Sequence, residues 1–343
     1  MKRLRFLLFP IGWCYGTITT VRNWLYELGV LSSYNIELKS IVIGNLSTGG
    51  TGKTPLVDYI LNLLSKQGHQ VTALSRGYGR ATRGVIVADQ NSTSSEIGDE
   101  PLLYKFRHGE SVNVVVAEKR KQGVERILSD FPDNDIVILD DAFQHRSITA
   151  GLSILTTSYN DLYTNDFILP VGNLREYNSG AKRADMVMVT KCPTEIDEED
   201  MNRIRKQLNF HNDLVFFSSI EYGSLTPFQS YQKSEIRHVL LVTGIANPKP
   251  LINHLSHLGR VTHIKFKDHH DFSAADIDKI HDKFGTFATH DKIIVTTEKD
   301  FMRLKKFDTF INGNFPWFYQ PIEINIYHET KFNKRLEEYV AKF

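Results

Sequence analysis

Ile41-Val42-Ile43 runs into Gly44-Asn45-Leu46-Ser47-Thr48-Gly49-Gly50-Thr51-Gly52-Lys53-Thr54, and an amphipathic stretch from Pro55 to Lys66 follows. This order of strand, glycine-rich loop and helix constrains the fold more than any other feature, because such a loop holds phosphate only at the carboxyl end of a strand in an open α/β sheet. Glycines let backbone N–H groups close on phosphate oxygens. Lys53 reaches the β- and γ-phosphates, and the Thr54 hydroxyl ligates Mg²⁺ at the helix N-terminus. Ser47 stands where the usual pattern has its first glycine, and Thr48 stands where the related "deviant" GGTGKT loops carry a signature lysine. Nucleotide contacts are expected from Ser47, Thr48, Gly49, Gly50, Thr51, Gly52, Lys53 and Thr54.

A phosphate loop needs a carboxylate at the end of a neighbouring strand to organise the metal. Asp135-Ile136-Val137-Ile138-Leu139-Asp140-Asp141 supplies one: the apolar run buries the strand, and Asp140 and Asp141 emerge at its carboxyl edge. Thr54 and Asp140 are the expected metal ligands. Val189-Thr190-Lys191-Cys192-Pro193 has the outline of a guanine-reading element but carries Pro193 where the discriminating aspartate belongs, so ATP is favoured over GTP.

Further apolar runs at Gln70–Leu74, Val112–Ala117, Leu152–Leu155 and Met186–Thr190 alternate with helical stretches, which reads as α/β with a mainly parallel sheet. Asn91–Ile97 is polar and reads as a surface loop. The pattern restarts near Arg237, with strands expected at Val239–Thr243, Val261–Phe266, Lys292–Thr296 and Trp317–Ile326, and with helices near Pro248–Leu258 and Ala274–Phe284. The expected organisation is an N-terminal apolar helix (1–35), a P-loop domain with a mainly parallel sheet (36–223), a second, smaller α/β domain (224–328) and a C-terminal tail helix (329–343). The 343 residues carry 41 Lys+Arg against 40 Asp+Glu, a net charge of +1, so the basic field that drives nucleic-acid binding is missing. Two cysteines, Cys14 and Cys192, cannot build a cysteine-based zinc site and fit a reducing compartment.

The front of the chain departs from this neutral average. Lys2, Arg3, Arg5 and Arg22 face one acid, Glu27, within the first 31 residues, and Phe6 to Val21 is uncharged, aromatic-rich and broken by Pro10, Gly12 and Gly16. A spanning helix wants roughly 20 apolar residues. A signal peptide would open in this way but would end in a small-residue cleavage site, and none follows. The favoured reading lays the segment in a membrane interface, with Trp13, Tyr15, Trp24 and Tyr26 at headgroup level. Packing of the helix on the protein's own core is the alternative.

With these elements placed, the chain resembles the tetraacyldisaccharide 4′-kinase family of lipid A biosynthesis over nearly its full length. The resemblance rests on an ordered set: Leu25 to Leu31, the Val42–Leu46 lead into GGTGKTP, Ser75-Arg76-Gly77-Tyr78-Gly79-Arg80, Gly98-Asp99-Glu100-Pro101, Asp140-Asp141-Ala142-Phe143-Gln144-His145, Leu169-Pro170-Val171-Gly172-Asn173-Leu174-Arg175-Glu176, Asp268-His269-His270 and Thr297-Glu298-Lys299-Asp300. Ala142 stands where glycine is expected, and Asn173 replaces a frequent proline.

The resemblance implies a kinase that moves the γ-phosphate of ATP, with Mg²⁺, to the 4′-hydroxyl of a tetraacylated glucosamine disaccharide 1-phosphate, giving lipid IVA. It also implies a place on the cytoplasmic face of the bacterial inner membrane, peripheral or monotopic. The partners expected are the acylated disaccharide and the membrane surface, with no nucleic acid and no obligate protein partner. Asp99 is then the candidate base, acting with His269, and Lys53, Asp140 and Asp141 complete the catalytic set. Arg76, Tyr78, Glu100, His145, Arg175 and Glu176 resemble substrate-side groups. From the residues alone Asp99 also suits a helix cap ahead of Pro101, and Arg76 and Arg175 suit surface ion pairs. A nucleotide switch of the deviant P-loop class is the competing function; it accounts for GGTGKT and the aspartates but leaves the front segment and an acceptor site unexplained.

Overall fold

The computed structural model describes residues 5–229, 235–307 and 315–342. Its strands are β1 (Tyr34–Asn35), β2 (Lys39–Asn45), β3 (Val71–Ser75), β4 (Ile86–Val87), β5 (Val112–Val116), β6 (Ile136–Asp140), β7 (Ile148–Thr149), β8 (Leu152–Ser158), β9 (Met186–Thr190), β10 (Val215–Tyr222), β11 (Thr226–Pro227), β12 (His238–Thr243), β13 (Arg260–Lys265), β14 (Lys292–Thr297), β15 (Trp317–Gln320) and β16 (Ile322–Tyr327). The α-helices are α1 (Phe9–Glu27), α2 (Lys53–Lys66), α3 (Ser94–Ile97), α4 (Asp99–His108), α5 (Arg120–Asp130), α6 (Glu198–Leu208), α7 (Lys249–Leu255), α8 (Ala274–Gly285), α9 (Glu298–Leu304) and α10 (Glu329–Val340).

The larger sheet has nine strands in the order β16-β10-β9-β8-β2-β6-β3-β5-β4. From β10 to β5 every neighbouring pair is parallel, and the two edge strands, β16 and β4, run antiparallel. Ile41, Ile43, Ile138 and Met188 are buried on one face with α2, and Val42, Leu139 and Val189 on the other with α5 and α6. Sheet strands covered on both sides explain the unbroken apolar runs in the sequence. β2 lies between β6 and β8, so the loop after β2 and the end of β6 open on the same crevice, where the strand order reverses.

A five-stranded sheet, β11-β15-β14-β12-β13, forms the smaller unit. The expected single strand Trp317–Ile326 is two strands. Pro321 has no N–H to continue a ladder, so β15 ends in the small sheet and β16 crosses to pair with β10 in the large one. The following helix, α10, buries Phe332, Leu336 and Tyr339 in the large core. β16 therefore packs with the nine-stranded unit and not with the smaller domain expected to run to 328, and the expected tail helix is α10. β10 ends just before the expected boundary at 223/224, and the expected loop Asn91–Ile97 contains α3, started by a capping box between Thr93 and Glu96.

Helix α1 docks through its smallest residues. Gly12 and Gly16 are its buried positions, and a side chain at Gly16 would collide with the Tyr177 ring. Tyr15 Oη donates to the Arg175 carbonyl at 3.0 Å and Asn23 Nδ2 to Glu176 Oε2 at 2.7 Å. The apolar side chains are left outside: Leu7 is 76% exposed, Ile18 68% and Trp13 62%. The helix thus meets the protein through the glycine seam and the polar side chains of Tyr15, Arg22 and Asn23, while these large apolar side chains do not enter the core. No helix among the described residues is long and apolar enough to cross a membrane. Lys2 and Arg3 of the basic cluster lie outside the described residues.

Candidate active site

The phosphate loop joins β2 to α2 with Gly52 at the helix N-cap in a left-handed conformation (φ 77°), where a Cβ would also press on Thr190 at 3.0 Å. No side chain caps α2, so its first-turn N–H groups are left for an anion. The loop is braced from outside: Thr190 Oγ1 donates to the Thr51 carbonyl at 2.7 Å, Thr51 Oγ1 pairs with Thr156 Oγ1 at 2.7 Å, and Lys191 Nζ donates to the Gly50 carbonyl. Ser47 bridges to Leu174, and both the N–H and the Oγ1 of Thr48 donate to the Asn173 carbonyl. Those two residues tie the start of the loop to the Asn173–Leu174 segment.

Lys53 Nζ lies between Asn45 Oδ1 (3.1 Å) and Asp141 Oδ1 (3.4 Å), at the mouth of the crevice. Asp140 is buried at the end of β6, and Tyr104 Oη donates to its Oδ2 at 3.1 Å. Its Oδ1 is buried without a hydrogen-bond partner. A buried carboxylate oxygen with no donor, on the strand paired with β2 that leads into the loop, fits a hard divalent cation, so Asp140 with the Thr54 hydroxyl suits Mg²⁺. Burial, then the charges of Glu100 and Asp141, push the Asp140 carboxyl up to about 7.

That shift has a measurable consequence. An unfolded aspartate releases its proton near pH 4, whereas folded Asp140 holds it to about 7. The folded, ligand-free protein therefore binds more protons in this window and loses stability as pH rises through it. Asp140→Asn has no such loss. In EDTA its melting temperature should exceed that of the wild type by about 3 °C or more at pH 8, and the gap should shrink by pH 5; a gap independent of pH contradicts the assignment.

Opposite the loop, helix α4 starts at Asp99, and Asp99 Oδ2 accepts from His269 Nδ1 at 3.0 Å. His269 sits at φ 55°, uncommon for a non-glycine residue, with its N–H held by the Gly244 carbonyl at 3.0 Å. Burial pushes the Asp99 carboxyl up, but the hydrogen bonds and charges of His269 and Arg303 outweigh it and hold the group below the usual carboxylate range. The pair joins residues 170 positions apart, one from the nine-stranded unit and one from the loop after β13 in the smaller one.

A pocket of about 630 Å³ adjoins this pair and brings together Arg76, Tyr78, Glu100, Asp141, His145 and Arg175. Tyr78 also packs edge-on to the His269 ring at 5.6 Å, so pocket and dyad are continuous. His145 is not a cation here: burial, then Arg120 and Arg76, lower it to about 4. Arg175 reaches Asp141 at 3.4 Å. Glu100 lines the pocket, but its carboxylate accepts from Thr54 Oγ1 (2.8 Å) and Lys299 Nζ (2.6 Å), which turns it toward the head of α2. Glu176 does not reach the pocket. It is buried beneath α1, bound by Arg183 at 2.8 Å and by Asn23 of that helix.

Sequence reasoning missed Arg22 and Tyr26 of α1, and Arg146, all of which line the pocket. It also missed Arg120, buried with its Nη2 on the Asp140 carbonyl at 2.6 Å, and Arg303 on Asp99. Arg22 Nη2 donates to the Gln144 carbonyl at 2.7 Å, which ties the exposed apolar helix to the pocket wall.

The family model for tetraacyldisaccharide-1-P 4′-kinase (LpxK) matches residues 4–341. The chain belongs to this kinase family. It is 42% identical to the tetraacyldisaccharide 4′-kinase of Flavobacterium psychrophilum over 348 residues, covering 99% of this chain and 98% of that one. The corresponding kinase of Bacteroides thetaiotaomicron is also 42% identical, over 98% of this chain and 93% of that one. The crystal structure of LpxK from Aquifex aeolicus in complex with ATP superposes with a TM-score of 0.77 at 28% identity, covering 98% of this chain and 99% of that chain. Full-length kinase relatives support the family's phosphotransferase reading and leave the nucleotide-switch alternative without support.

Proposed function

We propose that this member of the kinase family transfers the γ-phosphate of ATP to the 4′-hydroxyl of a tetraacylated glucosamine disaccharide 1-phosphate while held on the inner-membrane surface by α1. The observation that carries the reading is the Asp99–His269 pair, at 3.0 Å, standing on an arginine-lined pocket beside the phosphate loop. A sugar hydroxyl is a poor nucleophile at neutral pH and needs a positioned base. With Nδ1–H given to Asp99, Nε2 is the ring nitrogen left to accept the proton. His269 is thus the acceptor of the proton and Asp99 the group that orients it, a division of labour different from Asp99 acting as the base itself.

Lys53 and the loop N–H groups bind the β- and γ-phosphates. Thr54 and Asp140 hold Mg²⁺, which when bound neutralises charge on the phosphates. The 4′-oxygen forms its bond to the γ-phosphorus as the bond to the β,γ-bridging oxygen breaks; ADP leaves, and the hydroxyl proton passes to His269 Nε2. Arg76 and Arg175, with Tyr78, orient the acceptor, whose 1-phosphate calls for guanidinium donors.

An acylated acceptor keeps its chains in the bilayer, so the pocket must come to the membrane. Leu7, in the turn just before α1, and Ile11, Trp13 and Ile18 on it are exposed, and the same helix supplies Arg22 and Tyr26 to the pocket. Deleting the helix would damage both functions, so point changes are the cleaner test. A Leu7→Ser, Ile11→Ser, Ile18→Ser variant should lose at least about tenfold in co-sedimentation with anionic vesicles, and its kcat on detergent-dispersed acceptor should stay within about twofold. Unchanged vesicle binding would sink the anchor assignment.

A further inference from the structure

One buried cation touches both members of the dyad and belongs to none of the sequence motifs. Arg303, on α9, has a side chain only 5% exposed. Its Nε and Nη2 lie 2.8 and 2.7 Å from Asp99 Oδ2, and its Nη2 lies 3.5 Å from His269 Nδ1. Its Nη1 donates to Asp300 Oδ1 at 3.0 Å. Asp300 is itself fixed by the Gly244 N–H (3.0 Å) and by Thr297 Oγ1 (2.7 Å), and the Gly244 carbonyl is the group that holds the His269 N–H. The contacts close a ring from Arg303 through Asp99, His269, Gly244 and Asp300. Asp99 comes from the nine-stranded unit; the other four come from the smaller one.

We propose that Arg303 is a positioning residue for phosphoryl transfer, clamping the Asp99 carboxylate against His269 across the two units so that the imidazole stays aimed at the acceptor hydroxyl. This rests on the reading of Asp99 and His269 as the proton-handling pair.

The physical need is specific. A carboxylate as buried as Asp99 is disfavoured in its charged form unless a cation compensates it. His269 alone is a poor compensator, because it must change its own charge during the reaction. A guanidinium keeps its charge throughout and offers the two-nitrogen fork that fixes direction as well as charge. The charged groups around Asp99 are His269, His270 and Asp268 on the loop after β13, Lys299, Asp300 and Arg303 on α9, and Glu100 on its own helix. Arg303 is the one bonded to Asp99 from α9, and its removal lets burial raise the Asp99 carboxyl.

The test compares Arg303→Met, Arg303→Lys and His269→Ala in the full-length protein, with ATP, Mg²⁺ and detergent-dispersed acceptor. Arg303→Met should lower kcat by about 10² with the KM for ATP within about twofold. The acidic limb of its kcat/KM profile should move up by about one pH unit, because activity needs the Asp99–His269 pair unprotonated and losing the adjacent guanidinium charge favours protonation of the pair. Arg303→Lys restores the charge but not the fork, so its acidic limb should match the wild type while kcat stays about tenfold low. A merely structural role would not move the limb. An unmoved limb in Arg303→Met, or wild-type kcat in Arg303→Lys, overturns the proposal; should Arg303→Met fail to fold, the kcat of Arg303→Lys decides alone. If His269→Ala keeps most of its activity, the dyad reading fails first. Loss in His269→Ala with no kinetic effect at Arg303 rejects the clamp and leaves the dyad standing.

Discussion

Replacing Lys53 with alanine should reduce phosphoryl transfer by on the order of 10³, the scale seen when a charge on the transferring phosphoryl group is removed. Lys53 Nζ is held at the crevice mouth by Asn45 and Asp141, so its charge is already placed before nucleotide arrives. The fold should survive, because Arg175 remains 3.4 Å from Asp141 and the loop's bracing runs through Thr51, Thr156 and Thr190. Steady-state kinetics with circular dichroism as a folding control checks this. Retention of more than about a tenth of the activity would remove Lys53 from the phosphate site.

The second large effect belongs to the dyad. His269→Ala removes the proton acceptor and should cost about 10²–10⁴ in kcat, the range for a lost general base. Asp99→Asn keeps the shape but cannot hold the Nδ1–H tautomer through a carboxylate, and should fall in the same range. The double variant should be little worse than either single one, because the two act as a unit. Separate quantification of kcat and of the KM for acceptor distinguishes this from binding: a rise in KM alone, at unchanged kcat, assigns the pair to acceptor recognition instead.

Much of this architecture was legible because its strands are buried on both faces. Met186–Thr190 is read residue for residue as β9, and the run ending at Asp140 stands as β6 with its carboxylate at the carboxyl edge. β10 was invisible for the opposite reason: Ser218 and Ser219 are buried within it, and polar residues in a strand read as linker. Pro321 divides an apolar run between two sheets, a choice that only pairing partners reveal.

The site divides in the same way. Residues that act through a local motif, such as Lys53 and Thr54 at the head of α2, are readable from spacing alone. Glu176 stands in a motif with Arg175, yet its partners are Asn23 of α1 and Arg183, contacts that spacing does not reveal. Arg303 leaves no local signal, since its bond to Asp99 spans 204 residues and exists only once the two units are apposed. The pocket likewise draws Arg22 and Arg146 from distant segments whose positive charges are unremarkable in a chain of net charge +1.

The most direct test of the central claim is transfer of label from [γ-³²P]ATP to a tetraacylated glucosamine disaccharide 1-phosphate in mixed micelles, with the position of the new phosphate read by mass spectrometry. ATP consumption should depend on the acceptor and match labelled lipid mole for mole, with the new phosphate on the 4′-oxygen. ATP hydrolysed to free phosphate at the same rate with and without lipid, and no labelled lipid, would contradict it.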